Sequence, residues 1–68
     1  MKSLADNIRA ARNKKHLSQA ALAAKIPCAP SAITQYERNQ KMPSAIMLLR
    51  IAEELGTSPN RLLGFKED

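Results

Sequence analysis

The sequence has one cysteine, Cys28, and one histidine, His16, so it can form no internal disulfide, and no Cys and His set has the spacing of a zinc site. Neither kind of staple holds the chain together, and packing of its own elements must suffice. Long hydrophobic runs are also missing. No apolar stretch approaches the ~20 residues needed to span a bilayer, and Met1 leads into a polar amphipathic segment rather than a secretory leader. The expectation is a cytoplasmic protein with no membrane partner. Segments with the period of two expected of strands are absent, as are internal repeats and low-complexity tracts. A glycine-rich phosphate loop, a paired acid and base, and a nucleophile with a base near it are lacking too, so the chain is not expected to be an enzyme. Nothing suggests a cofactor or a small-molecule ligand.

With 68 residues, the chain is read as a single domain, with a polar tail from about residue 65 and no room for a large interior cleft. Its net charge of +5 points towards a polyanion. The charge is unevenly placed. Residues 1–42 carry eight Lys or Arg against Asp6 and Glu37, a balance of +6, whereas residues 43–68 sum to −1. A nucleic-acid face therefore belongs to the N-terminal part. The bland alternative is a solvated basic surface.

The apolar positions recur at helical spacing. Leu4, Ile8 and Ala11 follow Ser3, a capping residue with Asp6 three positions on, and predict a helix over about 4–14. After the polar break from Asn13 to His16, Ser18 caps a second helix through Lys25 whose apolar residues are mostly alanine, which allows close helix approach. Pro27 and Pro30 bracket a four-residue connection. Pro30 suits the first turn of a third helix reaching Glu37, with Ile33 and Tyr36 inward. Pro43 and Ser44 open a fourth helix presenting Ile46, Leu48, Leu49, Ile51, Ala52 and Leu55, which Gly56 ends at positive φ. Ser58 caps a fifth, short helix from Pro59 with Leu62 and Leu63, and Gly64 releases the tail. The fold class is all-α, a compact bundle of five crossed helices.

Two helices of about seven residues joined by a four-residue turn outline a helix-turn-helix unit, which sets its second helix in the DNA major groove. On geometry alone a plain helical hairpin is a serious rival reading. The wording separates them. L-S-Q-A-A-L-A-A-K-I from Leu17 to Ile26, followed by S-A-I-T-Q-Y-E-R from Ser31 to Arg38, resembles the phage-repressor family that includes the lambda-type repressors and Cro. M-P-S at Met42 to Ser44, L-L-R-I-A-E-E-L-G-T-S-P at Leu48 to Pro59 and R-L-L-G at Arg61 to Gly64 are similar to that family's fourth and fifth helices. The resemblance covers about residues 4–64.

What the resemblance implies is a regulator of transcription on double-stranded DNA. Gln19 matches the family glutamine that binds phosphate and supports the base-reading helix. Ser31, Thr34 and Gln35 match base readers, and Pro30 stands where a polar reader is common, so contact there is apolar, as to a thymine methyl. Arg38, Asn39 and Lys41 lie in the loop that approaches the DNA backbone, and Arg12 and Glu37 match a structural salt bridge. A homodimer through Leu62, Leu63 and Phe65 is expected. Lys14, Lys15 and His16 are read as exposed loop residues and Cys28 as a small turn residue. The chain departs from the family pattern at the turn. Pro27 replaces a glycine and cannot take positive φ, and Ala29 replaces a capping Ser or Thr, which leaves the start of the third helix without a side-chain acceptor. A competing class is a protein-interaction module on the same fold, such as an antitoxin or a bridging factor, which would show exposed Leu, Met or aromatic residues where the charged loop and polar helix face stand.

Overall fold

The computed structural model describes residues 3–65, which form five helices: α1 (Leu4–Lys14), α2 (Gln19–Lys25), α3 (Pro30–Glu37), α4 (Ala45–Glu54) and α5 (Pro59–Leu63). Among the described residues there is no strand, and no helix is long and apolar enough to cross a membrane. The tail expected beyond Phe65 lies outside the described residues.

Serine starts four of the five helices. The Oγ atoms of Ser3, Ser18, Ser44 and Ser58 accept from the backbone N–H three residues on, at Asp6, Ala21, Met47 and Arg61, over 3.0–3.2 Å. Each satisfies a donor that the first helical turn leaves open. Asp6 completes no more than half of a capping box, since its carboxylate faces Arg9 at 3.6 Å on the solvent side. Helix α3 is the exception. Its N-cap is Ala29, which offers no side-chain acceptor, and α3 starts on Pro30, which has no N–H to satisfy.

The helix ends follow one pattern as well. After α1, α3, α4 and α5 the next turn passes through a left-handed residue: His16 (φ 58°), Asn39 (φ 60°), Gly56 (φ 66°) and Gly64 (φ 90°). In each case the following residue returns its N–H to a carbonyl five positions back, as Leu17 to Arg12, Gln40 to Gln35, Thr57 to Ala52 and Phe65 to Asn60. This pairing satisfies carbonyls that the last turn leaves open. At the end of α2 the equivalent position is Pro27. There the chain keeps the long bond, Cys28 N to Ala23 O at 2.9 Å, although Pro27 has neither the positive φ nor an N–H to give the shorter one. The glycine-free turn is thus closed by one hydrogen bond where the other helix ends use two.

Five side chains are fully buried at the centre, Ile8, Leu22, Ile26, Ile33 and Ile51, each contributing about 1.5–3 kcal/mol by leaving water. Ala23, Tyr36, Ala52, Leu55 and Leu62 complete this core. Alanine at position 23 lets α2 lie close against α3, as its sequence suggested, while α1 packs across α3 and α5. Asn7 ties α1 to the end of α5 by donating Nδ2 to Leu62 O at 2.9 Å. Helix α4 turns only part of its apolar set inward. Ile51, Ala52 and Leu55 are buried and Leu48 packs at the margin, but Ile46 and Leu49 face solvent because α4 is covered by α2 and α5 on one side only.

Candidate nucleic-acid interface

Helix α3 separates its residues cleanly by face. Ile33, Tyr36 and Glu37 are buried, while Pro30, Ser31, Gln35 and Arg38 are exposed. Ser31, Gln35 and Arg38 are spaced by four and then three, so they form one stripe along the helix. That stripe offers a hydroxyl, an amide and a guanidinium with no apolar side chain among them.

A buried carboxylate fixes the stripe's orientation. Glu37, at the inner end of α3, accepts two hydrogen bonds from Arg12 of α1, from Nε to Oε2 at 2.6 Å and from Nη2 to Oε1 at 2.9 Å. Its side chain is 2% exposed and that of Arg12 is 12% exposed, so this is the salt bridge expected for the two residues, and it is a buried one. The hydrogen bond to Glu37 raises the Arg12 pKa, burial opposes that rise, and the carboxylate's charge adds to it, so the guanidinium stays a cation. Its remaining Nη1 donates to Leu17 O at 2.8 Å, just before α2. One side chain therefore pins α1, the approach to α2 and the end of α3. Arg9 adds a second tie, donating Nη2 to the backbone oxygen of Glu37 at 2.6 Å. The sequence reading missed Arg9, although its position three residues before Arg12 places both on one side of α1.

Gln19 and Thr34 join this network. Gln19 Nε2 donates to Glu37 Oε1 at 3.2 Å, and Thr34 Oγ1 donates to Gln19 Oε1 at 2.7 Å. Both residues are half-buried in the seam between α2 and α3. Thr34 was expected on the reading face with Ser31 and Gln35, and the structure instead turns its hydroxyl towards α2. Just past Glu37, at the same end of α3, Arg38 and Lys41 are exposed and make no ion pair among the described residues. Asn39 between them has a backbone role besides its exposed position, since it supplies the left-handed turn after α3.

A model of the helix-turn-helix family matches residues 8–62. The chain belongs to the helix-turn-helix family. Among solved structures, the P22 c2 repressor protein in complex with a synthetic operator is 33% identical, with a TM-score of 0.91, over 97% of this chain and 100% of that one. SinR in complex with DNA is 31% identical over 88% of this chain and 97% of that one, with a TM-score of 0.83. A SinR and SinI protein complex is 31% identical over 90% of this chain and 60% of that one, with a TM-score of 0.85. Compared by sequence with curated proteins, the chain has no match.

Within this helix-turn-helix domain the remaining candidate residues scatter. Leu62, Leu63 and Phe65 were expected to act together at a dimer interface, but Leu62 is 2% exposed and belongs to the protomer's own core. Consecutive residues on a helix point about 100° apart, so Leu63 turns outward when Leu62 turns in. Leu63 and Phe65 stay exposed and available. Lys14, Lys15 and His16 are exposed as expected, although Lys14 is the last residue of α1 rather than part of the loop. Lys15 nevertheless lies over Gly56, where a Cβ would meet its Nζ at 3.1 Å, which sets its ammonium beside the carbonyl end of α4. Cys28 is half-buried, and burial raises the pKa of its thiol, which disfavours the reactive thiolate. No group of three or more His, Cys, Asp or Glu gathers as a metal site among the described residues.

Proposed function

We propose that the chain is a transcriptional regulator, a repressor, that binds operator DNA by laying α3 in the major groove. The observation that carries this reading is the exposed stripe of Ser31, Gln35 and Arg38, held at a set angle by the buried Arg12–Glu37 pair and continued by Lys41. A hydroxyl and an amide suit base edges, and the two cations at the helix end suit phosphates. The P22 c2 repressor and SinR, both alike in sequence and fold, have been solved on operator DNA and on DNA. Gln19, at the first turn of α2, has one amide N–H engaged by Glu37 and a second left for a backbone phosphate. The chain acts in the cytoplasm, by binding rather than by catalysis, and needs no cofactor.

The operator is a pseudo-palindrome read by a homodimer, with Leu63 and Phe65 as the apolar contacts between protomers. Two α3 helices then lie about 34 Å apart, one turn of DNA. A second reading, a protein-binding module, draws on the SinR and SinI complex and on the exposed Ile46 and Leu49 of α4. Those side chains lie on α4 and are not part of the α3 stripe, so they favour an added contact over a replacement for DNA. Selection of bound sites from random duplex DNA tests the proposal. Enrichment of a two-fold symmetric sequence is expected, and recovery of no preferred sequence overturns it.

A further inference from the structure

We infer that Thr34 positions Gln19 and reads no base, which leaves hydrogen-bond readout from α3 to Ser31 and Gln35. The inference rests on the reading of α3 as the DNA-facing helix. A threonine hydroxyl has one proton. Thr34 Oγ1 lies 2.7 Å from Gln19 Oε1 and 3.3 Å from Pro30 O of its own helix, so the short bond to Gln19 holds the proton and the longer contact sits behind it. The two acceptors place the oxygen in the seam between α2 and α3, whereas Ser31 and Gln35 stand in the open.

The Glu37 carboxylate, which only accepts, settles which way the Gln19 amide faces and leaves its oxygen for Thr34. Its carbonyl oxygen accepts from Thr34 and its nitrogen donates to Glu37 at 3.2 Å, and a flip of the amide would set its oxygen against the Glu37 carboxylate, acceptor against acceptor. Fixed this way, Gln19 has its oxygen turned to Thr34 and one N–H left over for DNA. It is thereby a donor to phosphate oxygen, which every sequence has, and the relay Arg12, Glu37, Gln19, Thr34 runs from the buried ion pair to the flank of the reading helix. Holding a long polar side chain in place before binding removes the cost of ordering it in the complex.

The test compares wild type, Thr34→Val, Thr34→Ser, Gln19→Ala and the Thr34→Val/Gln19→Ala double variant on the selected best site and on random duplex. Valine keeps the shape of threonine without the hydroxyl, and serine keeps the hydroxyl. Thr34→Val is expected to weaken binding by about 2- to 10-fold, by one common factor on both DNAs, as expected for freeing one side chain. Thr34→Ser should restore binding, and Thr34→Val should add nothing in the Gln19→Ala background. A changed base preference in Thr34→Val, an additive loss in the double variant, or unaltered binding by Thr34→Val each overturns the inference. Binding by wild type with no sequence preference overturns the functional reading instead. A readout without DNA separates the two: the Gln19 side-chain amide signals in the NMR spectrum of the free protein should shift and exchange faster in Thr34→Val, and no change in them refutes the bond itself.

Discussion

Glu37 is the buried charged residue among those described, and its place at the inner end of α3 makes it the residue on which the interface geometry turns. Taking a carboxylate out of water is costly unless its oxygens are occupied, and here Arg12 and Gln19 occupy them. Removal of either partner of the pair should cost about 3–5 kcal/mol in urea unfolding, with Arg12→Ala at the upper end because it strands the more deeply buried charge. Equal stability of Arg12→Ala, Glu37→Ala and wild type would show that the pair contributes nothing. Alkaline pH acts on other residues. Burial raises the thiol pKa of Cys28 above its ordinary 9.0, and burial, with the nearby Cys28 adding to it, raises that of Tyr36 above 10.0. Both groups are neutral when protonated and are disfavoured as anions in the fold, so their stabilising contribution is complete below those ordinary values and is lost as pH climbs past the raised ones. Unfolding free energy should fall from about pH 9 upward, and the Cys28→Ala/Tyr36→Phe pair of changes should flatten that fall. A pH-independent stability between 9 and 11 in wild type would contradict this account.

At the scale of elements, the chain builds its helices from repeated end chemistry and breaks the pattern on both sides of one turn. After α2 and its C-cap Ile26 comes Pro27 in place of a left-handed residue, and α3 has Ala29 as its N-cap in place of a serine. Both departures fall in the turn that sets α3 against α2. Closure survives because Cys28 N reaches Ala23 O, and because Ala32 N finds Ala29 O at 2.9 Å. The Ala29 backbone, at φ −71° and ψ 142°, already has the shape a capping serine adopts. Ala29→Ser should therefore raise stability by about 0.5–2 kcal/mol in thermal or urea unfolding. A neutral or destabilising result would mean that the first turn of α3 has no open donor within reach of a side chain at position 29.

Over the whole molecule the separation of charge and apolar surface decides how it meets other molecules. Basic residues gather in the half that includes α1 to α3 and the following loop, whereas the exposed large apolar side chains, Met42 excepted, lie on α4 and at the end of α5. Under the proposed reading, binding through Arg38 and Lys41 would displace condensed counterions, so affinity for duplex should fall steeply with salt. Lys41→Ala should weaken operator and random DNA alike and reduce the slope of log affinity against log salt by about one unit. Gln35→Ala should cost roughly 1–3 kcal/mol on the operator and much less on random duplex, with discrimination lost at one or two positions in each half-site. Titrations of both variants at two salt concentrations separate the roles, and one common loss factor for Gln35→Ala on both DNAs would remove it from base reading.

The positions of all five helices, the caps Ser3, Ser18 and Ser58 and the inward set Ile33 and Tyr36 were legible in the residues alone, because helix ends and amphipathic spacing are local properties written within a few neighbouring positions. The two family-matched partners Arg12 and Glu37 were legible as a pair, though not as the hub that also ties in Arg9, Gln19 and Leu17. Tertiary structure alone decided the rest. It turned Thr34 into the α2–α3 seam, since which edge of a helix is covered depends on where its neighbour lies. It withdrew Leu62 from any partner and left Leu63 exposed, since α5 meets α1 and α4 along one narrow side. Spacing marks which residues share a face of a helix; only the packing of one helix against another determines which faces meet water, protein or DNA.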